Sequence, residues 1–306
     1  MAKEIELWAT MVTPFTNEGK VDYDNIEKIV QWYVENGLTG IFAVCQSSEM
    51  FFLGQEERLE IARRVLDAAE GRIKVVVSGH IEDVLEEQAE FLQKMVALSP
   101  DAVVLVSNRL RKVQEPFEVF YKNTQYLLNR LPQNISLGIY ECPYPEKVLL
   151  TEEELEFLAD TGRFTFMKDT CCDVGMLKKR IAICGDKKMR LFNANTATYL
   201  DSLKMGCDGF CGVMLNMHPK LYRYLSDHYI SQPERAKKLQ NFLTTASLIE
   251  RQQYPANAKY HMQLSGIPLQ LYSRVNGEKD LSTLFKREVD HLYGLTEEVN
   301  RQFEID

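Results

Sequence analysis

Phe164-Thr165-Phe166-Met167-Lys168-Asp169-Thr170 is a short apolar run that ends on a lysine and then turns polar. Extended, it alternates sides with a period of two, which puts Phe164, Phe166 and Lys168 on one face, expected to look into a core. A long cationic side chain at the end of a buried strand is costly unless it is paired, solvated or neutral, and loss of water lowers a lysine's pKa. A neutral lysine amine attacks carbonyls, and the protonated imine that results withdraws electrons from the neighbouring carbon–carbon bond. The competing reading is a strand-end lysine whose tip reaches solvent.

The same alternation recurs on both sides of this strand. Upstream, strands are expected at 7–12, 40–45, 73–78, 102–107 and 136–140; downstream, at 189–192 and 209–214. Helix-period segments fall between them at 23–35, 55–69, 84–98, 116–131, 151–159, 174–183 and 196–205, with another after Pro219. Pro116 suits a first helical turn, and Thr151 with Glu154 forms a capping box. About eight strand–helix units predict an α/β fold of (β/α)8 TIM-barrel type. The barrel is expected over residues 1–230. Residues 231–306 are expected to form a C-terminal helical extension packed on it, interrupted at Pro255 and at Gly266-Ile267-Pro268, because no polar linker separates the two.

With 306 residues and 45% hydrophobic content the chain can bury a large core. A net charge of -8, from 44 acidic against 36 basic residues, argues against nucleic acid or anionic membrane as a partner. Seven cysteines lack zinc-site spacing and the five histidines are scattered, so neither a metal nor a disulfide framework is expected. No leader and no spanning run are read, and a cytoplasmic protein is expected.

A barrel of this kind keeps its active site at the C-terminal ends of its strands. Those ends carry Cys45-Gln46-Ser47-Ser48-Glu49, Ser107-Asn108-Arg109, Tyr140, Lys168, Asn193 to Asn195 and Cys211-Gly212. Tyr140 has inward parity one strand from Lys168, and a phenol beside an amine can relay protons; the alternative is a core tyrosine with a satisfied hydroxyl. Ser47 and Ser48 offer hydroxyls and backbone N–H groups to a carboxylate, or form a plain polar turn.

The order of a Ser-Ser turn before Glu49, then Tyr140-x-x-Pro143, Lys168-Asp169 and Gly206-x-x-Gly209 resembles the dihydrodipicolinate synthase / N-acetylneuraminate lyase family. These are class I aldolases that form a lysine Schiff base on a (β/α)8 barrel. The resemblance implies that Lys168 is the Schiff-base lysine, that Tyr140 shuttles protons, and that Ser47 helps hold the carboxylate of pyruvate or a related 2-oxo acid. It places Cys211 opposite the bound acid and implies a homo-oligomer, dimer or tetramer, that needs no cofactor. Three departures stand out. Gln46 replaces a hydroxyl residue of the relay, and an amide cannot pass a proton as a hydroxyl does. Asn108-Arg109 occupies the place of an aromatic pair that completes the relay from a neighbouring subunit, and Arg109 becomes a candidate cation for an acidic substrate. Ala194 stands at a usual glycine beside Asn195, where sialic-acid lyases carry acidic residues. The expected activity is a carbon–carbon lyase or aldolase on a 2-oxo acid. A dehydratase or decarboxylase of the same superfamily and an idle binding homologue are the alternatives. The residue five after Tyr140 is Pro145, where the synthase has an arginine, so a dihydrodipicolinate synthase is not expected.

Overall fold

The computed structural model describes residues 4–275 and 281–305. Eight strands, β1 (Glu6–Thr10), β2 (Gly40–Ala43), β3 (Lys74–Val77), β4 (Ala102–Val106), β5 (Leu137–Tyr140), β6 (Phe164–Asp169), β7 (Arg190–Asn193) and β8 (Gly209–Gly212), pair in parallel and in sequence order. The last of them returns to the first, with Trp8 opposite Cys211, so the sheet closes into a barrel. The crossovers carry α1 (Asp24–Glu35), α2 (Gln55–Ala69), α3 (Leu85–Ala97), α4 (Ser107–Leu110), α5 (Phe117–Arg130), α6 (Glu152–Asp160), α7 (Val174–Cys184) and α8 (Tyr199–Lys204); α9 (Pro219–His228) follows β8. Then come α10 (Pro233–Ala246), α11 (Ala256–Leu264) and α12 (Thr283–Phe303). Of the spans expected from sequence, residues 1–3, 276–280 and 306 lie outside the described residues.

Phe166 has the inward parity expected of it. Its ring lies 5.1 Å from Trp8, 5.0 Å from Phe192 and 5.7 Å from Phe42, centroid to centroid, so aromatic rings fill much of the barrel interior. Gly40 makes room for the indole, since a Cβ there would stand 2.1 Å from Trp8. Thr151 caps α6 as read: its hydroxyl accepts the N–H of Glu154 at 3.1 Å, and the Glu154 carboxylate accepts the N–H of Thr151 at 2.8 Å.

The expected strand at 209–214 is shorter. After Gly212 the chain turns into a 3-10 helix, Val213–Asn216, because the Asn216 amide donates to the carbonyls of Thr10 at 2.9 Å and Val213 at 3.0 Å. The expected helix at 196–205 likewise opens with a 3-10 turn, Thr196–Thr198, capped by the Asn195 side chain.

The segment beyond α9 folds back onto the barrel. Gln240 of α10 donates to the Thr196 carbonyl at 2.7 Å and accepts from the Leu200 N–H at 3.0 Å. Lys259 of α11 pairs with Glu49 at 2.9 Å, and both side chains are fully buried. Glu49 also accepts the N–H groups of Arg274, at 2.6 Å, and Val275, at 3.2 Å. Glu49 lies just beyond β2, so this clamp draws the tail across the mouth of the barrel. No helix among the described residues is long and apolar enough to cross a membrane.

Candidate active site

Tyr140 and Lys168 are register partners at the ends of β5 and β6. Lys168 is 4% exposed and carries its Nζ 4.4 Å from the centre of the Tyr140 ring and 5.7 Å from that of Phe42. No carboxylate pairs with it among the described residues. The residue after each of the two turns outward to one cation. Glu141 and Asp169 both bind Arg180 of α7, Glu141 at 2.7 Å, and all three are buried. Glu141 further accepts the Thr170 N–H at 3.0 Å. Alternation along a strand thus gives Tyr140 and Lys168 each a rigid anchor one residue away.

The two groups open into a cavity of about 320 Å³. Gln46 and Ser47 line it from the turn after β2, Asn195 and Ala194 from beyond β7, Gly212 and Val213 from β8 and the turn after it. Burial pushes the Tyr140 phenol well above its ordinary pKa, and its hydroxyl points toward Gln46 Oε1 at 3.5 Å. The Cys142 thiol donates to the same oxygen at 3.2 Å. Asn195 uses its side-chain oxygen on the N–H of Thr198 at 3.1 Å, leaving the amide nitrogen as the group it can offer.

Three residues expected at the site stand elsewhere. Ser48 does not line the cavity: its hydroxyl donates to the Met11 carbonyl at 2.6 Å and accepts the Cys45 N–H at 3.1 Å, bracing the turn that presents Ser47. Cys211 is buried in the barrel wall, and its neighbours Gly212 and Val213 form the cavity surface instead; burial pushes the Cys211 thiol up to about 12, against the pull of Lys168. Arg109 does not reach the cavity either. Its guanidinium binds Asp83 and lies 5.6 Å over the Phe51 ring, so a carboxylate and an aromatic face already hold it.

The cation at the mouth is Lys147, whose Nζ donates to the Thr170 carbonyl. The tail adds a wall that the strand-end constellation lacks: Glu250, Tyr254, Pro255 and Val275 all face the cavity. Tyr254 is half-buried at the cavity wall, its phenol pushed far up by loss of water, with Ser47 beside its hydroxyl. Glu250 lies in the 3-10 helix Ser247–Arg251 that follows α10; burial raises its carboxyl to about 7, opposed by Lys168 and Arg251. A cis peptide precedes each of two prolines near this wall, Pro145 and Pro255.

Comparison with known proteins places this geometry among relatives. The model of the dihydrodipicolinate synthetase family matches residues 4–276. The 4-hydroxy-tetrahydrodipicolinate synthase of Shewanella denitrificans is 26% identical over 221 residues, 72% of this chain and 73% of that protein. The same-named enzyme of Teredinibacter turnerae is 27% identical over 209 residues, 68% of this chain and 70% of that one. Among solved structures, the 4-hydroxy-tetrahydrodipicolinate synthase of Methylacidiphilum fumariolicum SolV superposes with a TM-score of 0.86 at 19% identity, covering 99% of both chains. The chloride-inhibited dihydrodipicolinate synthase of Acinetobacter baumannii, complexed with pyruvate, gives 0.84 at 22% identity, over 96% of this chain and 99% of that one.

Proposed function

Because the chain belongs to the dihydrodipicolinate synthetase family, we propose that it is a class I lyase or aldolase in which Lys168 forms an imine with pyruvate or a related 2-oxo acid. The observation that carries this reading is the unpaired Lys168 amine lying over Tyr140 inside the cavity. The amine attacks the C2 carbonyl, and the Tyr140 hydroxyl gives its proton to the oxygen that departs as water. The protonated imine then draws electrons from the C3–C4 bond, leaving an enamine that is reprotonated at C3 and hydrolysed off the lysine. Ser47 binds the carboxylate. Gln46 holds the Tyr140 hydroxyl in place but ends the chain of proton carriers, so Tyr140 exchanges its proton with the substrate directly.

The acceptor is not aspartate semialdehyde. Position 145 is proline, which has no donor for a bidentate grip on a second carboxylate. Arg109, held by Asp83, does not replace it. Loss of such a charge-assisted pair costs about 1.5–3 kcal/mol in transition-state binding, a factor of about ten to a few hundred. By the same resemblance the protein works as a homo-oligomer in the cytoplasm. Borohydride added with pyruvate is expected to fix the reduced adduct on the peptide containing Lys168. Protein left unlabelled across a panel of 2-oxo acids would refute the imine. Efficient condensation of pyruvate with aspartate semialdehyde would refute the acceptor claim alone.

A further inference from the structure

Chemistry at a lysine imine of a 2-oxo acid needs two separate proton exchanges: one around C2 and C3, the other at the oxygen on C4. Tyr140 lies against Lys168 and serves the first. It is a poor carrier for the second, because its hydroxyl faces an amide oxygen that has no proton to hand on. Three other titratable residues of the cavity are committed as well. Glu49 is neutralised by Lys259, Lys147 donates to the Thr170 carbonyl, and burial holds the Tyr254 phenol protonated. Glu250 differs from all of these. Its carboxyl lines the cavity that holds Lys168 and Tyr140 and makes no ion pair or hydrogen bond among the described residues.

We propose that Glu250 is a catalytic acid–base that exchanges a proton with the C4 oxygen of a 4-hydroxy-2-oxo acid, a role that rests on the Lys168 imine. In cleavage the Glu250 carboxylate takes the proton of the C4 hydroxyl and the C4=O bond forms. The C3–C4 bond breaks, and its electron pair moves into the C2–C3 bond as the iminium nitrogen becomes neutral. Tyr140, which regains a proton from solvent in the cavity once the imine has formed, then supplies it to C3; Glu250 releases its own proton to solvent, and hydrolysis of the imine returns one to Tyr140. In condensation every step reverses: the carboxylic acid gives its proton to the aldehyde oxygen while C3 attacks. The charged and titratable groups around Glu250 are Lys168 of β6, Arg251 beside it, Tyr222 of α9 and Tyr254 ahead of α11. Loss of water outweighs the two cations and holds the carboxyl near 7, where acid and base forms coexist at neutral pH.

The test separates the two exchanges in Glu250→Gln. Pyruvate alone reports the first, through borohydride trapping and through exchange of its C3 protons for deuterium in heavy water. Condensation of pyruvate with acetaldehyde, glycolaldehyde or benzaldehyde, whichever the unaltered protein takes fastest, reports the second. The adduct and the C3 exchange should survive unchanged while condensation falls about a hundredfold or more. Condensation by the unaltered protein should decline as pH rises through about 7, since it uses the protonated acid, and that decline should vanish in the variant. Glu250→Asp, which keeps a carboxyl, should recover part of the rate. Unchanged condensation in Glu250→Gln, or C3 exchange lost in step with it, would overturn the assignment. So would an unaltered protein that exchanges C3 protons yet condenses none of the aldehydes. A missing adduct in the unaltered protein would instead remove the imine and this role together.

Discussion

Arg180 touches no part of the cavity, yet it ties together the two strand ends that carry Tyr140 and Lys168. Glu141 and Asp169 lie one residue beyond Tyr140 and Lys168, and Arg180 binds both. Burial and the nearby Asp169 raise the Glu141 carboxyl, with Arg180 opposing them. Arg180→Met would leave two carboxylates buried without a cation, a loss of about 3–5 kcal/mol, to be read as a large drop in melting temperature. Tyr140→Phe should leave the fold and the borohydride adduct intact and slow turnover about a hundredfold; a wild-type rate in the folded variant would take Tyr140 out of the mechanism. At this scale the sequence was legible where a site depends on local alternation. The inward parity of Tyr140 and Lys168 follows from counting along one strand. Arg109 misled because its partner Asp83 is 26 residues away, and Glu250 was invisible because its place depends on how the tail returns.

Helices bounded by caps and by apolar period were readable almost to the residue: α2 runs over Gln55–Ala69, as its periodicity predicts, and α6 begins after the Thr151 cap. Turns set by long-range bonds were not, as the Asn216 amide shows by ending β8 through a contact to Thr10. The tail is the largest case, since its seat depends on Lys259 meeting Glu49. Lys259→Met removes the cation from a fully buried carboxylate and should destabilise the protein by about 3–5 kcal/mol. It should also loosen residues 272–275, seen as faster amide exchange at Arg274 and Val275, whose N–H groups donate to Glu49. Helix α12 docks on two buried histidines: the Thr296 hydroxyl meets His218 Nε2 at 2.9 Å, and the ring centres of His261 and Tyr293 are 5.2 Å apart. Burial lowers both imidazoles, His261 to about 4. The folded chain therefore binds fewer protons than the unfolded one below 6.5, so this stability is complete above 6.5 and is lost as pH falls toward 4. His261 alone accounts for on the order of 3 kcal/mol across that window. Glu250, raised to about 7, acts in the opposite sense, so the informative quantity is the difference between His261→Phe and the parent. The variant's melting temperature should fall less steeply between pH 6.5 and 4, and equal slopes would remove His261 from the acid response.

The eight-fold alternation made the barrel legible, because parallel strands joined by helices have few ways to bury both faces. Assembly is implied only by the resemblance, and the residues at 108 and 109 change what assembly can mean. By the resemblance, this place would be expected to supply a tyrosine to a neighbour's cavity. Here the Asn108 amide donates to the carbonyls of Cys142, Tyr144 and Glu146, at 3.1, 3.0 and 2.8 Å, and so braces the loop after β5 of its own chain. Arg109 is held by Asp83 and Phe51. Neither side chain is free to cross to another subunit without breaking bonds that it already makes. Lys168, Tyr140 and Glu250 all come from one chain and line one cavity. The oligomer, expected to be a dimer or tetramer by light scattering at micromolar concentration, would then stabilise the barrel without completing its chemistry. Dilution through the dissociation range, followed by mass photometry, should leave the rate of pyruvate C3 exchange per subunit unchanged. A rate that tracks the associated fraction would show instead that a neighbouring chain contributes a group to the cavity.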